Sequence, residues 1–158
     1  MNDIDNYFLQ QTIALAEKNV QTGNGGPFAA IITKNGEIIA QGTNVVTLNN
    51  DPTAHAEISA IRNACKTLNS FQLDGCTLYS SCEPCPMCLG AIYWARLERL
   101  VFAADKHQAE KAGFDDAFIY KEIVLPHNQR RLETKHINME EDNKPFDLWL
   151  NNNSKINY

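Results

Sequence analysis

One histidine and two cysteines constrain this chain most: any fold it takes must bring His55-Ala56-Glu57 beside Pro84-Cys85-Pro86-Met87-Cys88, with His55 and Cys85 30 residues apart. Zinc favours neutral imidazole and thiolate donors in tetrahedral arrangement, and a catalytic zinc takes three protein donors and keeps one position for water. His55, Cys85 and Cys88 give that count. Cysteines three apart in the first turn of a helix project to one side, where the helix N-terminus helps to hold thiolate charge. A closed structural site needs a fourth donor, and Cys82, Cys76, Cys65, His107, His127 and His136 are the candidates. Cys82, three residues before Cys85, is the nearest of them, but Pro84 works against a shared helical turn. Taken alone, Cys-x-x-Cys also suits a redox pair or a structural zinc knuckle, although neither has a use for His-Ala-Glu upstream.

Around these motifs the chain alternates strand and helix. Leu9, Ile13, Ala16 and Val20 share one face of an opening helix that stops before Gly23 to Gly26. Phe28 to Thr33 and Ile38 to Ala40 flank Asn35-Gly36, a hairpin pattern. A helix follows from His55 to Leu68, striped by Ile58, Ile61, Cys65 and Leu68. Then come a strand at Thr77 to Ser80, a helix at Pro84 to Arg96, a strand at Leu100 to Ala103, a weakly helical Lys106 to Ala112 and a strand at Glu122 to Leu125. The histidine and the cysteines thus both fall at helix starts. This alternation favours an α/β fold with helices layered on a central sheet, and 158 residues, 44% of them apolar, suit a single domain over 1–158.

Composition removes some function classes. A formal charge of −5 gives no general attraction to a phosphate backbone, which weighs against nucleic acid as the substrate. No run approaches the roughly 20 apolar residues of a membrane span, and Met1 to Asp5 lacks the layout of a signal peptide, so a cytoplasmic chain is expected. Five cysteines, three of them crowded between Cys82 and Cys88, fit a metal site better than a disulfide framework.

Glu57 follows His55 by two residues, roughly 200° around a regular helix, so only a place at the helix end lets both serve one metal. His-x-Glu followed by Pro-Cys-x-x-Cys is the pattern of zinc deaminases, in which the glutamate carries protons and is not a ligand. On these residues the chain resembles the cytidine deaminase-like superfamily and, within it, the bacterial guanine deaminases, over essentially its whole length. The likeness rests on Gly25-Gly26-Pro27-Phe28, on Asn50 to Glu57, on Ser81 to Ala95 and on Ala112 to Asp116. The stretch around the cysteines is shared with tRNA adenosine and cytosine deaminases. Phe114-Asp115-Asp116 narrows the choice, since tRNA adenosine deaminases usually carry a Gly-Ala-rich stretch there.

The resemblance implies a three-layer α/β/α sandwich with a five-stranded mixed sheet, one Zn2+ per subunit, and hydrolysis of guanine to xanthine and ammonia. It implies Glu57 as proton carrier, Asp116 as its assistant, and Asn44 and Phe28 as contacts to the base by its edge and face. Trp94 would shape the pocket wall and Tyr158 would cap the site of a partner, because the family forms homodimers that exchange a C-terminal segment, here about 135–158. Each role has a plainer alternative: a solvated loop aspartate, a turn asparagine, core aromatics, and a tail helix packing Phe146 and Trp149 on their own core. Guanosine, cytosine or a modified purine remain open as substrates. So do a tRNA adenosine deaminase and a noncatalytic zinc-stabilised interaction module.

Overall fold

Residues 3–158 are described by a computed structural model. The chain divides into two compact units, one running to Tyr120 and the other spanning Lys121–Tyr158. In the first, helix α1 (Asp3–Gln21) precedes strands β1 (Ala29–Lys34) and β2 (Glu37–Thr43), a single turn α2 (Val46–Asn49) and helix α3 (Ala56–Leu68). Strand β3 (Cys76–Cys82), helix α4 (Pro86–Trp94), strand β4 (Arg99–Ala104) and helix α5 (Lys106–Lys111) complete it, and helix α6 (Ala117–Ile123) runs across the division. Asn35 (φ 52°) and Gly36 (φ 81°) both take the left-handed region, as a two-residue hairpin turn requires, and Lys34 faces Glu37 across it.

The sheet has the order β2-β1-β3-β4, antiparallel except for the parallel pair β3 and β4, with α4 as the crossover. Side chains alternate across it. Ala30, Ile32 and Leu78 join Ala56, Ala60 and Ala64 of α3 in one core. Ile31 and Tyr79 take the opposite face, where the Tyr79 ring lies 5.0 Å from Phe8 of α1. Helices therefore cover both faces, giving the three layers that the resemblance implies. The fully buried stripe of α3 is Ala56, Ala60 and Ala64, while Ile61, Cys65 and Leu68 flank it. Small side chains let the α3 backbone settle onto β2 so closely that a Cβ at Gly42 would collide with Ala56 and Ala60. At the far edge the Arg99 guanidinium of β4 donates to both carboxylate oxygens of Asp5 (2.7 and 2.6 Å), and the Tyr79 hydroxyl donates to the same carboxylate (2.9 Å).

Four strands form the sheet among the described residues, not five. The segment Glu122 to Leu125, expected as a strand, is the end of α6 followed by a turn in which the Leu125 N–H donates to the Glu122 carbonyl. Arg130 donates to the carbonyls of Leu125 and Ile123, and Pro126 has no N–H to give, so a strand ladder would lack partners there. The second unit carries helix α7 (Lys144–Leu150), with Trp149 edge-on to Tyr158 at 6.4 Å between centroids. No described helix is long and apolar enough to cross a membrane.

Candidate active site

Two helix starts meet beyond the carboxyl end of β3. His55 stands just outside α3 in extended conformation, its carbonyl accepting from the Ser59 N–H to begin the helix. Cys85 does the same for α4, with Pro86 in the first turn where a missing N–H costs nothing and the Leu89 N–H donating back to Cys85. Because His55 is extended, the angular separation on a regular helix does not apply, and both His55 and Glu57 line one cavity. His55 Nδ1 lies 3.6 Å from the Sγ of Cys85 and 3.6 Å from the Sγ of Cys88. A tetrahedral zinc with bonds of about 2.3 Å to sulfur and about 2.0–2.1 Å to nitrogen separates such atoms by roughly 3.6 Å, so the three residues fit the ion. Among the described residues this is the cluster whose donor atoms all lie within 4.8 Å of one another. Cys82 stands apart: its thiol donates to the Asp105 carbonyl (3.6 Å), and burial pushes it up to about 11.

The donors are tuned as a group. The Cys88 thiol, donating to Cys85, holds the latter down to about 4, and the shared proton with burial pushes Cys88 itself up. His55 is raised, chiefly by its hydrogen bond with Cys85. Glu57 is buried in the first turn of α3; desolvation pushes its carboxyl up, and Ser80 Oγ donates to it at 3.2 Å. Asp116 is half-buried, raised first by burial and then by the charge of Cys85. A carboxyl raised in this way accepts and returns a proton more readily near neutral pH than an ordinary carboxylate does.

The cavity holds about 220 Å³ and brings Phe28, Asn44 and Asp116 together with His55, Glu57 and Cys85. Drug-sized sites run to about 300–1,000 Å³, so this one suits a single heterocyclic base. Asn44 is fixed through its backbone: its N–H donates to Phe28 (3.0 Å), and its carbonyl accepts from the buried Asn19 side chain (2.9 Å), which also bonds Gly26. Its Oδ1 accepts from the Val46 N–H at 3.4 Å, so the turn role and the place on the cavity wall coexist. Gly25 must be glycine, since a Cβ there would strike the Asn44 carbonyl.

Phe28 meets Phe114 edge to face, with centroids 4.7 Å apart at 83°. Phe114, Glu83 and Asn19 carry no site role in the sequence reading. Phe114 is adjacent in the chain to the Asp115-Asp116 pair, which is the one signal that could have marked it. Trp94 lies at the end of α4, 63% exposed and 5.9 Å from the Arg96 guanidinium, outside the residues that line this cavity. Tyr158 lies in the second unit against Trp149.

Residues 2–104 match the family model described as the cytidine and deoxycytidylate deaminase zinc-binding region. The guanine deaminase of Bacillus subtilis is 54% identical over 151 residues, covering 96% of this chain and 97% of that protein. Its X-ray structure superposes with a TM-score of 0.95 at 52% identity, covering 100% of this chain and 99% of the other. A tRNA-specific adenosine deaminase of Buchnera aphidicola is 45% identical over 111 residues, which is 70% of this chain and 68% of the relative.

Proposed function

Since the chain belongs to the cytidine and deoxycytidylate deaminase family of zinc enzymes, we propose that it hydrolyses guanine to xanthine and ammonia. The observation that carries the reading is the placement of two carboxyls, Glu57 and Asp116, around a base-sized cavity that is also lined by His55 and Cys85 of the three-donor metal set. The Bacillus guanine deaminase is 54% identical over 96% of the chain, whereas the Buchnera adenosine deaminase at 45% identity covers 70% of it, and the charge of −5 offers little to tRNA.

When bound by His55, Cys85 and Cys88, zinc supplies the Lewis acidity that makes water a competent nucleophile near neutral pH. Phe28 and Phe114 form the aromatic wall against the face of the base, and the Asn44 amide can donate and accept along its edge. Glu57 takes one proton from the attacking water and passes it to a ring nitrogen beside C2, so that C2 becomes tetrahedral. The second proton of the water then leaves with the amine, C2 keeps the oxygen, and ammonia departs. Asp116 accepts from the amino group and shares in this second delivery. His55 stays a ligand and moves no proton.

The proposal extends to assembly and location. The second unit exposes Phe146 (67%), Leu148 (68%) and Leu150 (67%), more apolar surface than a small unit leaves to water without a partner. We assign this surface to a homodimer in which residues from about 135 onward are exchanged and Tyr158 caps the other chain's site. The five cysteines are free, as a reducing cytoplasm would keep them. The test is ammonia release by zinc-loaded protein from guanine, guanosine, cytosine, adenine and a tRNA anticodon stem. The reading requires guanine to lead by at least tenfold in kcat/KM; a lead by any other member refutes the substrate.

A further inference from the structure

Asp116 has its place in this mechanism only if something holds it at the cavity beside Cys85. Asp116 begins α6, its carbonyl accepting from the Ile119 N–H at 3.2 Å. Four residues on, within α6, Tyr120 donates its hydroxyl to the Pro84 carbonyl at 2.7 Å. That carbonyl belongs to the peptide linking Pro84 to Cys85, so the hydroxyl acts one peptide bond away from a metal ligand. The Tyr120 ring is held in turn. Lys106 places its ammonium 5.2 Å from the ring centroid and 3.1 Å from Glu83 Oε1, while its backbone N–H donates to Glu83 Oε2 at 3.1 Å. The Glu83 N–H donates to the Ala104 carbonyl at the end of β4 (2.8 Å), which anchors the assembly to the sheet.

We propose that Tyr120 is a positioning residue that fixes Asp116 relative to the Cys85 loop, with Lys106 and Glu83 as the brace that holds its ring. The inference rests on the reading that Asp116 assists proton transfer. The same network ties the peptide preceding Cys85 to α6 four residues past Asp116, and so limits how far the assisting carboxyl can move from that metal donor. Losing that bond lets Asp116 drift while Phe114 and the metal donors keep their own supports, and an error of about 1 Å in a reacting group is enough to cost rate.

The experiment compares Tyr120→Phe, Asp116→Asn and the double variant in the full-length, zinc-loaded chain, with guanine as substrate and with cobalt substituted for zinc as a spectroscopic reporter of the cysteines. Tyr120→Phe should lower kcat about tenfold, the equivalent of one hydrogen bond, with KM within about twofold. In the Asp116→Asn background the same change should cost less than about twofold, since the group it positions is gone. The thiolate-to-cobalt absorption should match the parent. Lys106→Gln, which leaves the Tyr120 hydroxyl in place, should reproduce part of the loss with the same dependence on Asp116. An unchanged kcat in Tyr120→Phe, a full loss repeated in the double variant, or altered cobalt bands each overturns the proposal. If Asp116→Asn itself keeps the parental kcat, it is the role given to Asp116 that fails.

Discussion

Cys82 precedes Cys85 by three residues and Cys88 follows it by three, yet the two flanking thiols sit in unlike surroundings. Cys88 shares the His55 imidazole with Cys85, while Cys82 closes β3 and donates to the Asp105 carbonyl. Cys85→Ser and Cys88→Ser should therefore fall from one zinc per chain to near none after gel filtration, and Cys82→Ser should keep its zinc; metal analysis decides, and zinc loss in Cys82→Ser contradicts the ligand set. At this scale the donors were legible because metal chemistry demands particular residue types at a particular spacing. Asn19 and Phe114 were not. An asparagine inside a helix and a phenylalanine in a loop gain their roles only from what the fold brings near, Gly26 and Asn44 for one and Phe28 for the other.

Helices and strands repeat the pattern. The Asn35-Gly36 turn was readable because few residues tolerate two successive positive φ values. Glu122 to Leu125 was not: a short apolar run has the same composition at a helix end as in a strand, and the arginine that claims its carbonyls lies at position 130. The α3 stripe was placed one side too far, because alanines carry a weak hydrophobic signal although they permit the closest approach. The Asp5 pair with Arg99 joins α1 to β4 across 94 residues, and Arg99, aided by Tyr79, holds the Asp5 carboxyl below its ordinary range. A carboxyl lowered on folding stabilises above its unfolded pKa of about 4, and that contribution disappears as pH falls through the lowered folded value. Asp5→Asn should thus show a lower urea midpoint than the parent at pH 7, with the difference closing on acidification below about pH 4 and shrinking in high salt. A difference that stays constant with pH would show that the pair does not act through charge.

For the whole molecule, the proposed exchange of the C-terminal segment would make each site dependent on two chains. Glu57→Gln supplies an intact tail with a disabled site, and a chain ending at residue 134 supplies an intact site without a tail. Mixed after partial unfolding, the two should recover activity that neither has alone, in a species of twice the mass of one chain. A monomer, or a truncated chain with parental activity, contradicts exchange. Alternation of strand and helix made the layered architecture legible; for the proposed assembly the sequence offers only an aromatic cluster in a polar tail, a signal shared with an ordinary local core. In the proposed reaction Glu57 carries protons beside a zinc held by His55, Cys85 and Cys88 while the base in the cavity is guanine. Its most direct test is stoichiometric release of xanthine and ammonia from guanine by the parent and by Glu57→Gln, each carrying one zinc per chain. The parent should yield equal amounts of both products, and the variant should show a kcat lower by a factor of at least about 10². A zinc-loaded Glu57→Gln protein turning over guanine at the parental rate would contradict it.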